Sequence, residues 1–234
     1  MLTIMRREFN SYFSSPIGFI YLSVFYILSG FFFFSTTLLY DTTDMSMMFS
    51  NLYTIIMFLI PILTMRLLSE EKKQKTDQLL ITSPISLFSL VMGKYLSALL
   101  VFLTGLSVTI IYAVVLASFT PIEWAVFFGH FIGLFLLGMA LIAIGMFLSS
   151  LTESQVIAAV SGFAVMLLLM MIDPLAGYVK NPFFSSILSG LSFNSRYNTF
   201  NLGIIDFSNT LFFLSVSAVF VFFTIRVFEK RRWS

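Results

Sequence analysis

Charged residues are so rare in this sequence that long apolar segments dominate it. Of the 234 residues only 10% are charged and 59% are hydrophobic, whereas soluble domains have about 25% charged and roughly 45–50% apolar residues. Too few charges are present to cover a water-soluble surface, so most of the chain must face lipid. The sequence therefore predicts an all-α integral membrane protein, folded as a single transmembrane domain over residues 1–234.

Six nearly uncharged segments are long enough to cross a bilayer, which takes about 20 apolar residues per helix. Helix-boundary signals fall at their ends. Ser15-Pro16 places a capping residue before a proline at the first helical position, and Thr120 and Thr152 begin sequences with capping-box spacing. Asp173-Pro174 is expected to end the fifth segment. The predicted spans are Pro16–Leu39, Met45–Met65 with an extension to about Leu68, the stretch between Lys94 and Glu123, the stretch between Glu123 and Glu153, Ser154–Ile172 and Phe207–Ile225.

Lysine and arginine lie almost entirely on one side of the predicted spans. Eleven of them fall at the termini and in the loop between the second and third spans, against two on the other side. Because cytoplasmic flanks carry an excess of Lys and Arg, we predict a plasma (cytoplasmic) membrane protein with both termini and this loop in the cytoplasm. The eleven are Arg6, Arg7, Arg66, Lys72, Lys73, Lys75, Lys94, Arg226, Lys230, Arg231 and Arg232, and the two are Lys180 and Arg196.

Two segments outside the spans also have recognisable patterns. Near the N-terminus, apolar residues recur at helical spacing across from polar ones, which predicts a short amphipathic helix in the cytoplasmic interface. A positively charged flank without structure of its own is the alternative. The outer segment from Asp173 to Asp206 is too apolar to lie in water and too interrupted to span, so short re-entrant or interfacial helices are expected before the sixth span. The apolar N-terminal residues are Leu2, Met5, Phe9, Tyr12 and Phe13.

The residue types that catalysis or metal binding requires are scarce. The sequence has no cysteine and a single histidine, His130, which excludes thiol chemistry and a His-x-x-x-His metal site. It also lacks a Gly-x-x-x-x-Gly-Lys-Ser/Thr loop, so nucleotide hydrolysis by that route is excluded. We therefore predict no catalytic, cofactor or metal site. Membrane topology accounts for the basic residues, so no nucleic-acid partner is expected.

His130 lies in the outer third of the fourth predicted span. An ionisable residue inside a membrane is a functional hypothesis by default, although near a helix end it also serves simply to hydrogen-bond a neighbouring helix. Gly129 and Gly133 flank it with GxxxG spacing, which favours close helix packing at this level of the span.

The connection from Met65 to Lys94 is longer and more patterned than a link between two spans requires. Residues from Glu70 to Ile81 are predicted to form a charged helix, and Ser83-Pro84 is predicted to start a second helix that leads into the third span. A charged helix projecting from the membrane offers a surface to a cytoplasmic partner. The alternative is a solvated face that contacts anionic lipid.

Ten residues of this connection form a specific pattern: Glu70, Glu71, Lys72, Thr76, Leu79, Leu80, Pro84, Ser86, Gly93 and Lys94. The pattern resembles that of the permease subunits of type-2 ABC transporters. Lys75 and Gln78 depart from the pattern, since glycine and glutamate are expected there. The N-terminal stretch from Arg6 to Pro16 resembles the same family, close to its gliding-motility type. So does the stretch from Ser149 to Gln155, which contains the second cytoplasmic loop with Thr152, Glu153 and Gln155.

The resemblance implies that the loop after the second span docks onto a separate ATPase subunit, which binds the ATP. It also implies pairing with a second permease subunit, of the same or a related chain. The predicted function is thus the permease subunit of an ABC exporter. An ATPase-driven membrane anchor, which transmits mechanical work without moving a solute, is the alternative. The implied coupling residues are Glu70, Glu71, Lys72, Thr76, Leu79, Leu80, Pro84 and Ser86.

Overall fold

The structure is a computed structural model that describes residues 1–75, 86–178 and 188–232, with side chains to residue 230. These residues are organised around ten α-helices. Their order follows the hydropathy pattern, and no strand occurs among these residues. The helices are α1 (Leu2–Ser14), α2 (Pro16–Phe33, continued by the π-helical turn Phe34–Leu38), α3 (Ser46–Thr64), α4 (Ser69–Lys73), α5 (Leu87–Leu106), α6 (Val108–Ala117), α7 (Trp124–Leu151), α8 (Gln155–Tyr178), α9 (Phe193–Asn201) and α10 (Phe207–Arg232).

Six helical segments within the described ranges are long and apolar enough to cross a membrane, which confirms the prediction of a multi-pass, all-α integral membrane protein. Because their number is even, both termini lie on one face of the bundle, termed the terminal face. The other is termed the opposite face. The spans are Pro16–Leu38, Ser46–Lys73, Leu87–Ala117, Trp124–Leu151, Gln155–Tyr178 and Phe207–Lys230.

Three predicted boundaries were wrong. The third span begins at Leu87, so Lys94 lies inside its helix and not ahead of it. α8 continues through Pro174 to Tyr178, because a proline near a helix end removes only one backbone hydrogen bond. Thr120 does not cap α7; the N-cap is Glu123, whose side chain makes no capping bond.

α3 and α7 form the centre of the bundle. Of the residues in their most apolar stretches, 72% and 67% are buried, against 17% in α8. A Cβ added at Gly129 would lie 2.8 Å from the backbone of Gly203, and one at Gly133 would lie 2.3 Å from the Cβ of Phe200. The close packing predicted from the glycine spacing is therefore confirmed, and its partner is the end of α9 and the turn after it.

Both extramembrane helices expected from the sequence are present. α1 packs on α5, and its buried Tyr12 donates a hydrogen bond to the carbonyl of Leu63 at 2.9 Å. Leu2, predicted on the apolar face of α1, is 69% exposed. α9 is the short helix before the sixth span, and its Tyr197 hydroxyl donates to the carbonyl of Phe49 in α3 at 3.0 Å. Residues 179–187 lie outside the described residues.

Candidate functional site

A cavity of about 530 Å³ lies on the terminal face, where α1, α3, α4 and α5 meet. Charged side chains from all four helices or their ends converge on it, which is unusual in a chain with so few charges. Residues of the loop after the second span, which the sequence singled out, thus share a site with residues of the N-terminal helix. The lining residues are Arg7, Glu8, Ser11, Tyr12, Arg66, Leu67, Glu70, Glu71, Gln74 and Lys94.

Lys94 of α5 is the centre of an ionic cluster. Its Nζ lies 2.8 Å from Oε1 of Glu71 in α4 and 3.2 Å from Oε2 of Glu8 in α1. Arg7 contributes a second positive charge, with Nη2 2.8 Å from Oε1 of Glu8 and 3.8 Å from Oε1 of Glu71. Two cations and two carboxylates therefore tie three helices together with no net charge, and we call these four residues the ionic cluster.

Because three of its four side chains are largely buried, disrupting the ionic cluster costs more free energy than disrupting a surface salt bridge. The Lys94 side chain is 1% exposed, and those of Glu8 and Glu71 are 16% and 15% exposed. Burial acts to raise the pKa of Glu8, but attraction to Lys94 and Arg7 outweighs it, so this pKa lies below its ordinary value. The Glu8 carboxylate is therefore ionised at neutral pH. Its loss of charge, or that of its partners, leaves an uncompensated buried group.

The end of α3 is also fixed to α1. Arg66 Nε lies 2.8 Å from Oε2 of Glu70, one helical turn further along, and an Arg66 amino group donates to the hydroxyl of Ser15. Together with the Tyr12–Leu63 hydrogen bond, these contacts hold the α3–α4 turn against the N-terminal helix. A movement of α4 relative to α1 would therefore break these contacts.

α7 holds the same turn from the other side through two adjacent serines. The Ser149 hydroxyl accepts from the backbone N–H groups of Leu68 and Ser69, at 3.2 and 3.1 Å, and donates to the carbonyl of Met65 at 3.1 Å. Lys72 is 3% exposed and its Nζ donates to the Ser150 carbonyl. The last turn of α7 thereby caps the start of α4, whose first N–H groups have no partner inside their own helix.

α4 is shorter than the charged helix predicted from Glu70 to Ile81. It ends at Lys73, and Lys75 adopts a left-handed backbone conformation with φ of 56°. A residue in this conformation directly after a helix is a common terminator, and it is usually glycine. The position where the resemblance leads us to expect glycine is therefore one where the backbone favours glycine, and Lys75 departs from the pattern at a cost in stability.

Replacing Lys75 with glycine is expected to stabilise the chain by about 0.5–1 kcal/mol. A side chain in the left-handed region costs about 1–2 kcal/mol, and the greater freedom of glycine in the unfolded chain offsets part of the gain. The measurement is thermal unfolding of the purified chain in detergent. Lys73→Gly is the matched control; since Lys73 is helical, it should destabilise by about 1 kcal/mol. Equal destabilisation by both substitutions would contradict this account of Lys75.

The structure brings together only part of the residue set predicted from the sequence. Glu70, Glu71 and Lys72 lie on α4, and all three side chains make contacts within the chain. Ser86 is the N-cap of α5, accepting from the Ser89 N–H at 3.3 Å. Outside the described residues lie Thr76, Leu79, Leu80 and Pro84.

The second cytoplasmic loop of the sequence analysis links α7 and α8. Thr152 Oγ1 accepts from the Ser154 N–H at 3.1 Å, Glu153 is exposed, and Gln155 is the first residue of α8. The hydrogen bonds to α4 and the turn before it come from Ser149 and Ser150, which were not among the predicted site residues, as Glu8 was not. Ser149 and Ser150 begin the Ser149–Gln155 stretch that resembles the family, so the resemblance was the available signal.

A family model described as ABC-2 family transporter protein matches residues 28–233, which is most of the chain. The chain belongs to the ABC-2 transporter family. It is accordingly a transmembrane permease component of an ABC transporter, the kind of subunit that works with a separate ATPase. No curated protein matches the sequence at a significant level.

Proposed function

We propose that this ABC-2 permease is the membrane subunit of an exporter, driven by an ATPase that docks on the loop beginning with α4. The observation that carries the proposal is the fixation of α4 to three other helices. The ionic cluster joins it to α1 and α5, and Ser149 and Ser150 join it to α7. A force applied to α4 is therefore passed directly to the third and fourth spans.

Stiff attachment is what energy coupling requires. A partner shifts a conformational equilibrium only by contacting the two states differently, and a loosely tethered loop would absorb the movement of the ATPase. Lys73, Gln74 and Lys75 are exposed at the end of α4, so the ATPase meets the chain there and along residues 76–86. The ATP is bound by the partner, since this chain has no phosphate-binding loop.

Two further partners, membrane lipid and a second permease subunit, are inferred from the exposed apolar faces of the helices. α8 is buried over only 17% of its most apolar stretch, which leaves surface for lipid and for a second permease subunit. The resemblance of residues 6–16 to the gliding-motility type keeps the second candidate function open, an anchor that passes mechanical work outward. A neighbouring gene for an ATPase is expected in both cases, and one for a large extracytoplasmic protein would favour the anchor.

The proposed orientation places the terminal face in the cytoplasm, because eleven of the thirteen Lys and Arg residues lie on that side. A cysteine at Thr43, exposed on the opposite face, should react with an impermeant maleimide in intact cells. A cysteine at Lys73, exposed on α4, should react only after permeabilisation. The native chain has no cysteine to interfere. Labelling at position 73 from outside would refute the orientation.

The same two cysteines test the docking of the ATPase. In membranes that also contain the ABC ATPase encoded beside this chain, a short thiol-to-amine crosslinker is expected to join Lys73→Cys to the ATPase. Thr43→Cys, on the opposite face, should give no such adduct. Purification of the tagged chain without any ATPase would contradict the proposed function, whereas a co-purified ATPase that never crosslinks to position 73 would contradict the docking site.

A further inference from the structure

A second cavity, of about 340 Å³, lies on the opposite face between the segment that leads into α3 and the start of α7. Asp44 and Glu123 are exposed at its edge, while Phe127 and His130 are buried against it. Nothing in the coupling of α4 to the spans uses this cavity. Its side chains nevertheless combine two carboxylates, an aromatic ring and an imidazole, a combination suited to a positively charged ligand.

His130 is the deepest polar group of the cavity. It is 1% exposed, its ring stacks on Phe49 with centroids 5.0 Å apart, and neither ring nitrogen makes a hydrogen bond of regular geometry to a described residue. The Asp44 carboxylate acts on the ring through its charge, and the Phe200 backbone is near enough to accept weakly from one ring N–H, which leaves the other ring nitrogen as a free acceptor. A neutral imidazole offers one acceptor nitrogen, and leaving it unsatisfied is costly. A ligand with an N–H group satisfies it.

The charge balance of the cavity fits a single positive charge. Asp44 accepts from the N–H and hydroxyl of Ser46, at 2.8 and 2.9 Å, at the N-terminus of α3. Glu123 precedes α7, and its side chain does not cap that helix. Each helix N-terminus carries roughly half a positive charge, so the two together offset about one of the two carboxylates. About one negative charge remains, and no three acidic or histidine side chains in the described residues are grouped to hold a metal ion.

We propose that this cavity binds a protonated primary amine. The ammonium group donates to His130 and is attracted by Glu123 and Asp44, while its carbon chain lies against the ring of Phe127. A quaternary ammonium ion has the same charge but no N–H to donate, so it is the natural discriminating probe. The amine has two sources, a soluble amine or the ethanolamine headgroup of a phospholipid in the leaflet at the opposite face.

Trp124, the first residue of α7, provides the readout, since its ring lies 6.1 Å from that of Phe127. The chain has two tryptophans, so a Trp233→Phe background isolates its fluorescence. With the full chain in phosphatidylcholine nanodiscs, n-butylammonium is expected to shift the emission saturably. Tetramethylammonium should bind about tenfold more weakly.

Three variants assign the selectivity to individual side chains. Glu123→Gln should weaken the binding of n-butylammonium about tenfold. His130→Phe keeps an aromatic ring but should remove the preference for n-butylammonium over tetramethylammonium. Asp41→Asn is the control, because it removes a nearby carboxylate that lies outside the cavity. Asp41 has a left-handed backbone with φ of 47°, which asparagine also tolerates, so this variant should leave the affinity for both ions unchanged. No saturable shift, equal affinity for the two ions, or equal weakening by Asp41→Asn and Glu123→Gln would overturn the proposal.

Nanodiscs with phosphatidylethanolamine distinguish the two sources. If the lipid headgroup is the ligand, emission is already shifted in these nanodiscs and n-butylammonium adds nothing. If the ligand is a soluble amine, the two lipid compositions respond equally to n-butylammonium. If n-butylammonium had no effect in phosphatidylethanolamine nanodiscs and the emission there were not already shifted, both proposed sources of the amine would be contradicted.

Discussion

Replacing Lys94 with methionine is expected to destabilise the folded chain by about 3–5 kcal/mol, the usual cost of breaking a buried ion pair. Lys94 is 1% exposed, and its Nζ contacts Glu71 at 2.8 Å and Glu8 at 3.2 Å. Methionine keeps the apolar stem of the side chain, so lost packing contributes little. The cost arises because two largely buried carboxylates lose the cation that lies between them.

Thermal unfolding of the purified chain in detergent measures this effect. Arg226→Met is the matched control, because the Arg226–Glu229 pair is short but its side chains are 62% and 40% exposed, and exposed pairs contribute about 0–1 kcal/mol. The double variant Lys94→Met with Glu71→Gln should recover most of the loss, since Arg7 and Glu8 then remain as a neutral pair. If Lys94→Met unfolded no more easily than Arg226→Met, the ionic cluster would not hold the three helices together.

The six spans were predictable because hydropathy depends on the local sequence alone. Lys94 was placed outside the third span for the same reason: a lysine normally marks the end of an apolar segment. Here its charge is compensated by Glu8 and Glu71, which are remote in sequence and reach it only when α1 and α4 fold against α5. The sequence alone gives no means of pairing Lys94 with these carboxylates, so it could not predict that Lys94 lies inside a helix.

The candidate site was predictable only in part, for a similar reason. The family pattern directed attention to α4, but it presented Glu71 and Lys72 as a surface for a partner. In the folded chain both side chains are turned to Lys94 and to the Ser150 carbonyl. Consequently a charge reversal at Glu71 would disrupt the chain itself and would not test docking.

Replacing Leu80 with aspartate is expected to abolish assembly with the ATPase. Leu80 belongs to the Leu-Leu pair of the family pattern, and an apolar anchor at the centre of an interface commonly carries much of the binding energy. A charge there must also be desolvated on docking. Membrane insertion should be unaffected, because the roughly 2.5–3.5 kcal/mol penalty for a charge applies near the centre of a span. Thr76→Ala should be milder, at about 0.5–1.5 kcal/mol for one lost hydrogen bond.

The most direct measurement of the central claim is ATP turnover by the ATPase with and without this chain, together with co-purification of the two. Leu80→Met, which conserves volume and polarity, serves as the matched control at the same position. We expect the wild-type chain and Leu80→Met to bind the ATPase and change its turnover equally, while Leu80→Asp, though inserted normally, does neither. Equal binding and turnover for all three chains would show that the loop following α4 is a solvated connector and not the coupling element.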